Sequence, residues 1–205
     1  SVKLLNKIGF KKLKNNEKFN PKKINFYSIN SSTKICELDI SEFNSEECKY
    51  TTLKRSSLVN FLKKDLEDLL KTDYNISKIE KIDKQIRLSF ENNKIDECDY
   101  LIISDGVFSK SKSLISNNKI KPIYNNTLAI RGILTTSPQN LDKNNIALFL
   151  GSGFHHVIYP LNENGDLNFI AIMKYNLSKE EQKNYSLFNN ENFTKKNFKQ
   201  YSIKS

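Results

Sequence analysis

Apolar residues recur along this 205-residue chain with two different periods, and the period changes with position. Over residues 56–70, Leu58, Phe61, Leu62, Leu66, Leu69 and Leu70 fall on one stripe while Lys63, Lys64, Glu67 and Asp68 take the opposite side. With Ser56 or Ser57 placed to cap it, this segment predicts an amphipathic helix that buries Leu58, Leu62, Leu66 and Leu69 beside a sheet. At the start, Val2, Leu4, Leu5 and Ile8 share a helical face, and Gly9 follows as a left-handed terminator. Residues 24–29 and 33–40 are short β-type runs around Asn30-Ser31-Ser32, as in a hairpin; 76–82 and 86–90 read as a second pair. A strand over 49–54 leads directly into the 56–70 helix.

Asp99 to Ser104 is a short, nearly continuous apolar run, the pattern of a central strand covered on both faces. It stops at Asp105-Gly106, and Ser109 opens a short helix to about Ile115. From Thr127 the alternation is that of strands, over 127–135, 146–150, 154–161 and 167–174, with Asn164-Gly165 as the turn between the last two. The polar tail from Ser178 reads as two helical pieces. The order of elements predicts an α/β chain in which a mainly antiparallel sheet follows a strand–turn–helix region.

Composition narrows the function. The net charge is +10, yet 30 of the 33 basic residues are Lys and only Arg55, Arg87 and Arg131 are Arg. Arginine supplies most specific base contacts, so no specific nucleic-acid partner is expected. A non-catalytic basic binding module is the alternative from another class. Cys36, Cys48 and Cys98 are odd in number, widely spaced and without metal-ligand spacing, which fits a reducing, cytoplasmic setting and no metal site. The longest uncharged stretch, 144–162, carries Gly151, Gly153, His155, His156 and Pro160, so no transmembrane helix is expected.

Two strand-to-helix junctions carry candidate chemistry. Arg55 stands just before a helix whose free N–H groups favour an anion, the outline of a phosphate site; the competing reading is that Arg55 pairs with a nearby carboxylate. Asp105-Gly106 follows the 99–104 run at its carboxyl end, where open α/β sheets place ligands. Gly106 permits a backbone conformation or close approach that a Cβ would block, and Asp105 can accept hydrogen bonds from a ribose. Further on, alternation along 154–161 puts His155 and Tyr159 on one side and His156 on the other. His155 and Tyr159 can bracket a phenolic substrate, with His155 polarising or deprotonating its hydroxyl. An ordinary hydrogen-bonded sheet histidine is the competing reading.

Read together, these segments carry a resemblance. Arg55-Ser-Ser-Leu58-Val-Asn-Phe-Leu62 resembles the Arg-x-x-Leu-x-x-x-Leu segment of the FAD-dependent class A aromatic monooxygenases. Asp99-Tyr-Leu-Ile-Ile-Ser-Asp105-Gly106, with Ser109 and Lys112 after it, resembles that family's Asp-Gly motif; Ile103, Ser104 and Lys112 stand where the family has Gly, Ala and Arg. Arg131-Gly132, then Gly151-Ser-Gly153-Phe-His155-His156-Val-Ile-Tyr159-Pro160, then Asn168-Phe-Ile-Ala, is similar to its salicylate-hydroxylase-like branch. The para-hydroxybenzoate hydroxylase fold is thereby implied: part of an FAD/NAD(P)-binding Rossmann-like domain interleaved with an antiparallel β-sheet substrate domain. The resemblance implies FAD as cofactor, NADH or NADPH as co-substrate, O2 as oxidant and a small aromatic substrate hydroxylated on its ring. Arg55, Asp105 and Gly106 would serve the cofactor, and His155 and Tyr159 the substrate. Residues 1–118 are then expected to be FAD-binding, with a hairpin at about 22–42 that joins the substrate domain, and 119–205 to form that domain and a helical tail. A ubiquinone-pathway flavin hydroxylase, or another flavin oxidoreductase of the same fold, is the alternative within the fold. The family's GxGxxG unit and its later Gly-Asp segment have no counterpart among the six glycines here, so the chain is expected to be an internal piece of a longer enzyme, inactive alone.

Overall fold

The computed structural model describes residues 2–45, 47–116, 121–134 and 141–184. In chain order the helices are α1 (Val2–Lys7), α2 (Arg55–Lys63) and α3 (Lys110–Ser116). The strands are β1 (Lys18–Phe19), β2 (Lys23–Ser28), β3 (Lys34–Asp39), β4 (Thr52–Leu53), β5 (Ile76–Ile82), β6 (Gln85–Phe90) and β7 (Ile95–Cys98). Four more follow, β8 (Thr127–Leu134), β9 (Ile146–Gly151), β10 (Phe154–Pro160) and β11 (Leu167–Lys174). Two compact units result, one from Ser1–Asp65 with Asn126–Ser205 and the other from Leu66–Asn125.

The first unit is organised by a six-stranded sheet of order β3-β2-β9-β10-β11-β8. All its neighbours are antiparallel except β2 and β9, which run parallel from Ile24↔Ile146 to Ser28↔Leu150. Strict alternation in β10 buries Phe154, His156, Ile158 and Pro160 and leaves His155, Val157 and Tyr159 half-buried. On the buried side Ala147, Phe149, Ile158 and Leu167 form one core cluster, and Ile29, Phe154, Ala171 and Met173 another. The turn from β10 to β11 closes with Leu161 N donating to Asp166 O at 2.9 Å, and Gly165 takes the positive φ of 91° that this turn requires. Asn145 Oδ1 accepts from Lys23 N at 2.8 Å and so ties the start of β2 to the start of β9.

In the second unit β5, β6 and β7 form an antiparallel three-stranded sheet. The hairpin β2–β3, the pair β5–β6 and the run β8 to β11 thus lie where the alternation pattern puts them.

Four expectations fail. The helix predicted over 56–70 ends at Lys63, with a separate 3-10 turn at Glu67–Leu69, and Lys54 rather than a serine occupies its N-cap. Its leucines are not buried: Leu62 is 41% exposed, Leu66 45% and Leu69 76%. A helix in water is held mainly by what its apolar stripe packs on, and here Phe61 against Phe10, 5.4 Å apart edge to face, is the described aromatic contact. Asp99–Ser104 is not a strand: Tyr100 and Ile102 are each 90% exposed, and no described strand pairs with the segment. An apolar run becomes a central strand only when neighbours cover both its edges, and periodicity cannot supply them. The strand expected at 49–54 is reduced to Thr52–Leu53 against β1. Of the two tail helices, residues 178–184 form only turns, opened by a reciprocal pair of bonds between Ser178 and Glu181. The tail beyond 184 lies outside the described residues. Among the described residues no helix is long and apolar enough to cross a membrane.

Candidate functional site

The half-buried face of the six-stranded sheet gathers the candidate substrate residues. Opposed residues in a ladder share a face, so His155 lies with Leu150 and Ile172, Val157 with Leu148 and Ile170, and Tyr159 with Asn168. Arg131 opposes Ile170 on the next strand and joins the same face. The result is an aliphatic wall carrying one imidazole, one phenol and one guanidinium. Burial pushes the Tyr159 hydroxyl pKa up, and the Arg131 charge pulls it the other way. The Asn168 amide nitrogen is buried beside Tyr159 with no hydrogen-bond partner among the described residues, so the wall also holds a spare donor. In the sequence Arg131 and Asn168 stand out only as parts of a motif. Cross-strand register, which no short-range pattern reveals, places them with His155 and Tyr159.

His156 points into the opposite side. Its ring stacks on Phe149 at 4.3 Å and lies 5.9 Å from Phe154 and 5.7 Å from Phe169. Desolvation, with a smaller push from His155, lowers its pKa to about 4, so it is neutral at physiological pH. A neutral histidine walled by phenylalanines packs the core and does not face substrate.

At the start of α2, Arg55 is exposed and has no hydrogen bond or ion pair among the described residues. The carboxylate is taken by its neighbour: Lys54 Nζ lies 2.6 Å from Asp166 Oδ2, which Asn162 Nδ2 also reaches at 2.9 Å. Lys54 and Asn162 hold the Asp166 carboxyl below the usual carboxylate range. Just before it, the Thr52 hydroxyl donates to Pro160 O at 2.5 Å in a buried position. Arg55 is therefore fixed at the end of a short segment clamped to the β10–β11 hairpin, one residue beyond Tyr159. Lys54 supplies no side-chain cap, so the first amides of the helix stay available to an anion.

In the second unit, Asp105 and Gly106 form one tight turn into α3. Gly106 has φ +80°, a conformation that L residues rarely take, and a Cβ built there would meet nothing within 4 Å. Glycine is required for the backbone path, and the space above it is open. Ser109 lowers the Asp105 pKa most, and Ser111 N donates to Asp105 Oδ2 at 3.2 Å. The carboxylate thus shapes the turn while its side chain stays exposed. A cleft of about 630 Å³ beside it is lined by Ile103, Asp105, Gly106, Ser109, Lys112 and Ile115, so the lysine at 112 supplies a cation there. Among the described residues no group of three His, Cys, Asp or Glu side chains gathers as a metal site would.

No family model matches the chain, and no curated protein does. Solved structures do. HpxO of Klebsiella pneumoniae, complexed with FAD and uric acid, superposes with a TM-score of 0.70 at 13% identity, over 79% of this chain and 42% of its own. The 2,6-dihydroxypyridine-3-hydroxylase of Arthrobacter nicotinovorans gives 0.65 at 14% identity, over 87% and 46%. A salicylate hydroxylase in a substrate complex gives 0.65 at 15% identity, over 86% and 48%. The fold is shared with these three proteins. The chain spans less than half the length of each of the three, and at this identity the likeness shows the fold alone.

Proposed function

We propose that this chain is part of an FAD-dependent monooxygenase that hydroxylates a small aromatic ring with O2 and NADH or NADPH. The observation that carries the reading is the half-buried face on which His155, Tyr159, Arg131 and Asn168 converge over aliphatic neighbours. An aromatic ring packs on Val157 and Ile170; His155 accepts the proton of a ring hydroxyl on an imidazole nitrogen, and Tyr159 and Asn168 orient the ring through their O–H and N–H. Removing that proton makes the ring electron-rich, which electrophilic hydroxylation requires.

The residues present fit the cofactor. Arg55 is a cation with no partner among the described residues, at an uncapped helix start; in the other unit, the open space above Gly106 leaves room for a ligand against the backbone. Bound FAD would supply the reduction by NAD(P)H and the activation of O2. In this reading residues 1–118 serve the cofactor and 119–205 the substrate, with the β2–β3 hairpin joining the latter. The test is product analysis in ¹⁸O2, using the protein that contains this chain, NAD(P)H and a panel of phenols. One ¹⁸O atom in a ring-hydroxylated product is expected. Failure of every phenol to gain oxygen, together with no flavin released on denaturation, overturns the proposal.

A further inference from the structure

We propose that the cleft between α1 and the Glu47–Lys49 segment binds a compact polyanion bearing at least two phosphate-type groups. Lys3, Lys7 and Lys11 recur every four residues along α1 and the turn after it, a spacing that puts the first two on one helical face. Together with Lys49, they line a cleft of about 600 Å³ whose other lining residues are Asn6 and Glu47. Asn6 Nδ2 donates to Glu47 O at 2.8 Å and ties the two walls together. Only Lys3 reaches a described carboxylate, Glu47 at 3.9 Å; Lys7, Lys11 and Lys49 have no ion pair among the described residues. Lys18 stands beside them, donating from Nζ to Lys11 O at 2.9 Å; burial and the charge of Lys49 hold its pKa below the usual value. Gathering like charges in one concavity is unfavourable unless an anion offsets it.

The charge balance sets the ligand class. Among the described lining residues, four ammonium groups less one carboxylate leave three positive charges, and two phosphate groups of about −1.5 to −2 each match that. No aromatic side chain is among the described residues that line the cleft, and Phe10, next to Lys11, is 2% exposed and packed on Phe61. Recognition therefore rests on phosphate charge in a confined space, which favours a small polyphosphate over a nucleic-acid strand or a flat lipid surface. This site is separate from the residues assigned to flavin and substrate.

The test titrates the chain with sodium tripolyphosphate and with pyrophosphate by calorimetry at ~0.15 M salt, with no flavin present. Saturable binding that weakens with added salt is expected. Lys7→Gln and Lys49→Gln should each weaken it about tenfold, the effect of losing one charge-assisted hydrogen bond. Lys143→Gln, an exposed lysine before β9, should leave it unchanged. Glu47→Gln should tighten binding, a change of opposite sign that misfolding cannot imitate, and Lys7→Arg should retain it. Absence of saturable binding, or equal loss in Lys143→Gln, overturns the proposal. So does Lys7-dependent sedimentation with phosphatidylglycerol vesicles, or retention of oligonucleotides, without tripolyphosphate binding.

Discussion

Lowering the pH from 7 to 5 should destabilise the first unit through His156. The ring is 6% exposed and enclosed by Phe149, Phe154 and Phe169, and its pKa falls from the usual 6.5 to about 4. The unfolded chain takes up a proton as pH drops below 6.5, while the folded chain stays neutral until about 4. Stability from this residue is therefore complete above pH 6.5 and declines as pH falls towards 4, after which both states are charged. With 1.36 kcal/mol for each tenfold change in proton activity, the loss is about 2 kcal/mol by pH 5 and about 3 kcal/mol in full. For a chain of this length that corresponds to a Tm drop of roughly 4–8 °C at pH 5. Urea melts at pH 7 and pH 5 measure it, with His156→Phe as the comparison. The variant keeps the stack on Phe149 and removes the titrating group, so its two melts should differ by about 2 kcal/mol less than the wild-type pair. Equal pH dependence in both proteins would refute the reasoning, because every other residue is common to them.

Gly151→Ala places a Cβ 2.5 Å from Ile29 Cγ2 and 3.3 Å from Phe154 O; it should cost about 1–3 kcal/mol, and Ile29→Ala in the same chain should cancel most of that, which a double-mutant cycle of urea melts reads directly. In the protein that contains this chain, His155→Ala should lower phenol turnover by ~10²–10⁴, measured as O2 uptake, whereas unchanged turnover would leave His155 a structural residue. The 205-residue chain by itself should purify colourless and leave NAD(P)H unoxidised; saturable quenching of flavin fluorescence at micromolar FAD would show that Arg55 and the Asp105 turn suffice.

What the sequence revealed depended on the range of the interaction. Strands β8 to β11 were legible because alternation and an Asn-Gly turn are local signals, and the separation of His155 from His156 follows from the same period of two. The fate of 99–104 was not legible, since an apolar run looks alike whether or not strands flank it. Nor was the clamp at Arg55: Thr52 meets Pro160 across 108 positions, and Lys54, not the arginine, took the nearby carboxylate. The lysine cleft was hidden by abundance, because with 33 basic residues a spacing of four excites no attention until the fold closes a wall opposite it.

The parallel seam between β2 and β9 also sets a timetable for synthesis. Lys23 and Asn145, which bond at the start of that seam, are 122 positions apart. At about 5–20 residues per second, the ribosome delivers β9 roughly 6–24 s after β2. Throughout that interval the β2–β3 hairpin has emerged with one edge unsatisfied, while β5, β6 and β7, whose pairings are local, can already close. The nascent hairpin edge is the part of this chain that a holdase chaperone would be called upon to shield.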